Sequence, residues 1–491
     1  MAPSQYSAFA FSDVRVDGSV PVPKHRQLYG ALREAILDGK LLAGEALPST
    51  RALSRSTGVS RNTVLAAYDL LIGEGFVETR GGAGTFVATQ AARPSTAVAA
   101  PAIEPRQLST AADVVRVWRP PTDFSSARPF GPSSPALDAF PVETWARLIS
   151  RHIRDDPLQL MSYGPAQGYL PLRKQIAHHL RAFRSYRCET DQIIITNGAQ
   201  SCFYLCSMVL MDPDDPVWFE EPGYPNARLA FRARSSRIIP VPVDDSGLDI
   251  DAGRALSPQP RIIYVTPTHQ WPLGRTMPVQ RRLALLEYAA SHGAWIVEDD
   301  YDGDLRYDGK SYASLQGLDE SHRVIHVGTF SKTIYPALRL GYAVVPPDLI
   351  DSFVAVRRAI DRFPNTFAQA VMATFMEQGL YAKHLHKMRA IYAERHESLR
   401  ARIKSKLAGT LVAHPSQAGL FTVTEIVNGL DDVGVATALA AAGIDSVPLS
   451  VAYTGRARKH GLILGHATAQ LDQIRRGVDD MERVLSGLTA R

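Results

Sequence analysis

Cysteine is scarce in this chain: Cys188, Cys202 and Cys206 are the three present among 491 residues. Three cannot all pair with one another, and the 202–206 spacing is not a usual zinc spacing. A disulfide framework is not expected, and a reducing, cytoplasmic setting is. Long apolar runs are missing too. No stretch of 18 or more apolar residues occurs, which argues against a membrane span. Residues 1–11 lack the basic segment and apolar run of a secretory signal. Nor is there a strong excess of one charge: 54 basic against 49 acidic residues leave a net +5. That balance permits nucleic-acid binding without requiring it. What remains is an ordinary globular composition, 45% hydrophobic and 21% charged, long enough for at least two domains.

A compositional break falls where these domains should part. From residue 88 the sequence ATQAARPSTAVAAPAIEP is mostly Ala, Pro, Ser and Thr. It has few apolar anchors and no amphipathic period, so 88–119 reads as a semi-extended linker. The expected domains are then 12–87 and 120–491, with no internal repeat.

In the smaller part, Leu28, Leu32 and Ile36 recur every four residues, which predicts a helix over 24–37 with one apolar stripe. Ser49 can cap a second helix carrying Arg51 and Leu53. Gly58 turns the chain, and Ser60 can cap a third helix with Val64, Tyr68 and Leu71. Two short helices around a Gly-containing turn are helix-turn-helix geometry. The segment GEGFVETRGGAGTFV (73–87) reads as a β-hairpin wing. Charge is informative only locally. Residues 1–90 hold nine Lys/Arg and eight Asp/Glu, but 46–68 contain no acid while carrying Arg51, Arg55 and Arg61. Ser60, Arg61, Asn62 and Thr63, in the first turn of the third helix, are suited to phosphates and base edges in a major groove. The bland alternative is a small helical protein-interaction module.

The larger part alternates short β-branched runs, at 192–195, 217–219, 261–265, 295–297 and 324–327, with longer helical stretches. That alternation predicts crossover connections and a largely parallel, buried sheet. Three segments then carry chemistry. In GTFSKTIYPALRLGY (328–342), Lys332 follows a strand in a Ser/Thr/Gly-rich turn, with Arg339 seven residues later. Such a lysine can form a Schiff base with the aldehyde of pyridoxal 5'-phosphate (PLP), and the arginine can clamp its phosphate. Taken alone, a lysine of this kind is far more often a solvated surface group. VEDDYD (297–302) closes a strand with carboxylates, where α/β folds bind ligands. Asp299 is the candidate partner of the PLP pyridine nitrogen and Tyr301 of its phenolic oxygen; the alternative is a metal site or a solvated strand end. In NGAQ (197–200), Gly198, Ala199 and Gln200 offer backbone N–H groups at a helix start, an anion site, though such turns are common.

These motifs also carry a family resemblance. LPSTRALS (47–54), GVSRNTV (58–64) and the wing resemble the GntR-type winged helix, which implies that Arg51, Arg61, Thr63, Gly81 and Gly82 contact double-stranded DNA. Residues 120–491 resemble fold-type I PLP enzymes of the class I/II aminotransferase type, with EEPGYP (220–225) and TPTHQWPLG (266–274) fitting as well. Tyr224 and Thr329 thereby join the cofactor set, and Tyr163 resembles the tyrosine that reaches the phosphate of a partner subunit, which implies a homodimer. FPVETW (140–145) resembles the MocR branch, which joins the two parts in this order. Two departures stand out. Trp271 replaces the asparagine that bonds the cofactor oxygen, leaving His269 or Gln270 to compensate. GLILGHA (461–467) lacks the arginine that binds a substrate carboxylate, and Arg456 and Arg458 lie outside that motif. The resemblance therefore implies a regulator that senses PLP, or an amine or amino-acid effector, through an aldimine at Lys332. The rivals are a working aminotransferase and a metabolite-binding regulator without PLP.

Overall fold

The stripe of Leu28, Leu32 and Ile36 becomes the buried face of α1 (Lys24–Leu37) in a computed structural model of the chain. The residues described are 9, 11, 14–89, 108–116, 128–132, 134–235, 237–309 and 312–489. Contacts divide the chain into two units, residues 1–107 and 108–491.

In the first unit, α1 packs with α2 (Thr50–Thr57) and α3 (Arg61–Gly73) around Leu28, Leu32, Leu53, Val64 and Leu71. Local chemistry sets the turn between the last two helices. Ser49 Oγ accepts the Ala52 N–H and Ser60 Oγ accepts the Thr63 N–H, both at 3.2 Å. Gly58 ends α2 at φ +71°, a conformation that glycine adopts without strain. The wing is an antiparallel pair, β1 (Val77–Arg80) and β2 (Gly84–Val87), with Gly81 and Gly82 at its tip.

Most of the expected linker, 90–107 and 117–119, lies outside the described residues. Within it, however, Thr110–Arg116 is a helix and not semi-extended. Ser109 Oγ accepts the Ala112 N–H at 3.2 Å, so this stretch carries its own cap.

In the second unit, eight strands form one sheet: β3 (Ile193–Thr196), β4 (Val217–Glu221), β5 (Ile238–Asp244), β6 (Gly247–Leu248), β7 (Ile262–Val265), β8 (Trp295–Asp300), β9 (Val324–Thr329) and β10 (Gly341–Val344). Their order is β3-β10-β9-β8-β7-β4-β5-β6. The β9-β8-β7-β4-β5 block is parallel, while β10 and β6 run against their neighbours. Within this block β4, β7, β8 and β9 are buried on both faces, as their continuous apolar runs predict, while β5 is only half-buried. A second, antiparallel sheet of β11 (Leu411–Ala413), β12 (Phe421–Ile426), β13 (Val447–Pro448) and β14 (Gly461–Gly465) has the order β11-β12-β14-β13. No helix among the described residues is long and apolar enough to cross a membrane.

Because β3, β4, β7, β8 and β9 run the same way, their C-terminal ends share one edge of the large sheet. This edge gathers Thr196, Glu221, Val265, Asp300 and Thr329. Gly341 opens β10 opposite both Thr196 and Thr329, so the turn before it, with Arg339, reaches the same edge.

Candidate functional site

The first unit presents its polar signals outward. Arg51, Arg55, Ser60, Arg61, Asn62, Gly81 and Gly82 are exposed and Thr63 is half-buried. Ser60, Arg61 and Asn62 leave the start of α3 open to solvent, the geometry in which a helix end enters a groove. Ser60 and Thr63 also bond each other, Oγ to Oγ1 at 2.8 Å, so part of their capacity is spent on the cap. Arg61 Nε donates to Thr50 Oγ1 at 3.3 Å, linking the two helices. The wing adds a residue that the sequence did not single out. Arg80 lies over the Phe86 ring at 4.7 Å and pairs with Glu78 at 2.8 Å.

At the edge of the large sheet, Asp299 is 4% exposed. Tyr264 donates to its Oδ2 at 2.6 Å, and Oδ1 has no hydrogen-bond partner among the described residues. Burial pushes the Asp299 carboxyl up to about 7; the Tyr264 bond opposes this and Asp300 and Asp302 add to it. A buried carboxylate with one unanswered oxygen suits a cationic N–H, which would restore its ionised form. Lys332 is half-buried at the start of the turn after β9. Burial lowers its ammonium to about 8, against the pull of Asp302 and Asp299. A fraction of the amine is therefore uncharged at neutral pH, the form that attacks a carbonyl.

A cradle for an anion lies beside them. Gly198 sits at φ +87°, a Cβ there would stand 3.2 Å from Arg339 Nη2, and the helix Ala199–Leu210 begins with no side-chain cap. Its first N–H groups are left for a ligand. Arg339 is exposed and donates to the Asn197 carbonyl at 2.9 Å, which holds its guanidinium over this turn. Gln200 Nε2 is turned to the Asn226 carbonyl at 2.7 Å, leaving its backbone N–H as its contribution. Tyr224 accepts from Asn226 Nδ2 at 3.2 Å and packs edge-on to Trp271. Thr329 Oγ1 accepts the Ser331 N–H at 3.1 Å, shaping the lysine turn. Tyr163 is 77% exposed, with Arg362 over its ring at 5.0 Å and Phe363 edge-on. Within one chain it stands open to solvent.

Around Trp271, both neighbours expected to compensate for the missing asparagine are engaged within the fold. Gln270 is spent: its amide donates to the Pro222 carbonyl at 2.9 Å, the Trp271 carbonyl at 2.6 Å and Glu220 at 3.2 Å. His269 is engaged through both ring nitrogens, Nδ1 with Asp302 Oδ2 at 2.7 Å and Nε2 with Ser416 Oγ at 3.2 Å, and stacks on Phe421. Tyr301 donates to the His269 carbonyl at 2.8 Å. Tyr264, Asp302 and Glu220 are residues that reading along the chain missed. Tyr264 looks like any aromatic in a buried strand. Glu220, pushed up to about 7 by burial, accepts from Thr266 Oγ1 at 2.6 Å. Asp302 was visible as one member of a carboxylate cluster, without a sign of its partner.

Two family models match in the same order as the two units. "Bacterial regulatory proteins, gntR family" matches residues 24–87, and "Aminotransferase class I and II" matches residues 133–453. The probable rhizopine catabolism regulatory protein MocR of Rhizobium meliloti is 38% identical over 96% of both chains. The chain belongs to the MocR-type branch of the GntR regulators. A second such regulator, the pyridoxine biosynthesis regulator PdxR of Corynebacterium glutamicum, is 31% identical over 91% of this chain and 93% of its own. Among solved structures, the α-aminoadipate aminotransferase LysN of Thermus thermophilus, complexed with N-(5'-phosphopyridoxyl)-L-leucine, superposes with a TM-score of 0.69. It is 27% identical and covers 74% of this chain and 94% of its own. As a MocR-type regulator, the chain is a PLP-dependent, DNA-binding transcription regulator. The unanswered Asp299 oxygen, the depressed Lys332 ammonium and the Gly198 cradle fit that cofactor.

Proposed function

We propose that Lys332 holds PLP and that the cofactor, or an amine ligand beside it, changes how the first unit binds its operator. The observation that carries this is the buried Asp299 Oδ1 without a partner, at the sheet edge that also bears Lys332. In this reading Asp299 faces the pyridine nitrogen, and Tyr301 turns its hydroxyl from the His269 carbonyl to the phenolic oxygen. Gly198, Ala199, Gln200, Thr329 and Arg339 take the phosphate, and Tyr224 packs beside the ring. When bound, PLP supplies an electrophilic carbon and an electron sink. The chain's own part is to hold it, protonate its ring nitrogen and exclude water.

The DNA-reading set is Arg51, Ser60, Arg61, Asn62, Thr63, Gly81 and Gly82. The domains are taken as 12–87 and 120–491, and the setting as cytoplasmic, in keeping with three buried, unpaired cysteines. We further propose a homodimer in which Tyr163 of one copy reaches the phosphate of the other. Leu158, Met161 and Tyr163, each at least 75% exposed, support an apolar contact there. The test is borohydride reduction of the PLP-loaded protein followed by peptide mapping. A pyridoxyl group on Lys332 is expected; the same group on another lysine removes Lys332 from this role.

A further inference from the structure

β14 brings Ile463 into a small apolar cluster with Phe421, Val423, Val447 and Leu449, against which Trp271, Leu273 and Tyr301 pack. Tyr301 lies between Asp299 and Asp302 in sequence, and Phe421 covers His269, the partner of Asp302. An apolar wall therefore adjoins the acids that surround Lys332. These acids are poorly answered. Both Asp299 Oδ1 and Asp302 Oδ1 are buried with no hydrogen-bond partner among the described residues.

The buried guanidinium groups nearby are committed elsewhere. Arg184 is held by Asp300 and by Asp304 at 3.1 Å. Arg228 is held by Glu221 at 3.5 Å and the Ala452 carbonyl at 2.9 Å. Arg306 is held by Asp308 at 2.8 Å, and Arg395 by Asp138 at 2.9 Å and the Ala467 carbonyl at 2.5 Å. Arg456 and Arg458, by contrast, are exposed to water on the loop before β14. A carboxylate brought to this wall would lose its water, meet acids, and find no buried guanidinium there free to replace the lost hydration.

We infer that the ligand pocket beside Lys332 takes a primary amine that carries no carboxylate, in preference to an α-amino acid. The inference rests on PLP being held at Lys332. With Asp299 answered by the ring nitrogen, Asp302 Oδ1 is the acceptor left for a hydroxyl or second ammonium of the ligand, and the carbon skeleton suits the Ile463 wall. His269 acts as a positioning residue that fixes the Asp302 carboxylate.

Matched pairs of amine and amino acid test this directly: ethanolamine and serine, putrescine and ornithine, tyramine and tyrosine. The PLP-loaded full chain is titrated with each, reading both the cofactor absorbance and the Tm. At least one amine should respond at roughly ten-fold lower concentration than its amino acid. An equal or tighter response to the amino acids overturns the inference, as does silence from all three amines at millimolar concentrations. Ile463→Arg should shift preference toward the amino acids. If that variant fails to fold, the wild-type pairs still decide. Asp302→Asn should lose the amine preference while borohydride still fixes PLP on Lys332. Absence of a pyridoxyl group on Lys332 before any amine is added marks failure of the cofactor reading instead, which is a separate result.

Discussion

The two units build their sites in opposite ways. The proposed DNA-reading face is local: Ser60 through Thr63 are consecutive, they lie on one helix end, and Ser49, Gly58 and Ser60 shape the turn from within a few residues. The proposed cofactor site is assembled from distant chain. Tyr264 reaches Asp299 across 35 positions, His269 reaches Asp302 across 33, and Arg339 reaches Asn197 across 142. A surface site of exposed polar groups tolerates loss of one contact, because water replaces it. A buried site does not, because each carboxylate there depends on a specific partner. Changes in the large unit should therefore act in an all-or-none manner, and changes in the small unit by increments.

The largest expected effect is loss of covalent PLP in Lys332→Ala, read by borohydride fixation and mass. The PLP-free variant should bind DNA as the PLP-free wild type does. An accompanying loss of DNA binding would show that the two sites are not separable lesions.

How much of this was legible follows the same division. Period and caps give α1 to α3 and the wing from neighbouring residues, because their signals are short-range. Lys332, Asp299 and the Gly198 turn were likewise visible as motifs. The partners were not. Nothing near Tyr264 marks it as the support of Asp299, and nothing near Gln270 says that Glu220 and Pro222 consume it. The insertion of β10 between β3 and β9, antiparallel to both, was also out of reach. Alternating strands and helices imply parallel order but do not say which strand reverses. The helix Thr110–Arg116 was missed because its Ala/Pro-rich surroundings outweighed one Ser cap.

Asp299→Asn comes next in size. It should weaken PLP retention by at least roughly ten-fold, since a neutral amide answers a pyridinium poorly. In the PLP-free protein it should stabilise. The folded carboxyl titrates near 7 against an ordinary 3.8, so the folded chain binds the proton more tightly. Stability from this group is present at low pH and is lost as pH rises through 7. The apo variant should then show a Tm a few degrees above wild type at pH 8, with the gap closing toward pH 5. A gap that widens on acidification would mean that Asp299 is ionised in the apo fold.

Smaller effects belong to the first unit. Arg61→Ala should weaken operator binding by about 1–3 kcal/mol if the side chain reads a base pair, and relax preference at that position. Its cofactor spectrum should match wild type. Unchanged affinity across several salt concentrations would take Arg61 out of the interface. Smallest is Ser60→Ala, which removes the cap on α3 and should cost about 1 kcal/mol of first-unit stability, measured by denaturant titration of the full chain with a probe in that unit. No loss would mean that Thr63 alone can close the turn.

The central claim is that cofactor state at Lys332 governs DNA binding. Its most direct test uses DNA selected from a random pool by the full chain, with affinity measured with and without PLP at fixed salt. A change of about 5–150-fold, the ordinary range of coupling between sites, is expected in the wild type, and none in Lys332→Ala. Equal affinities with and without PLP in the wild type would contradict the account, as would an equal response in the lysine variant.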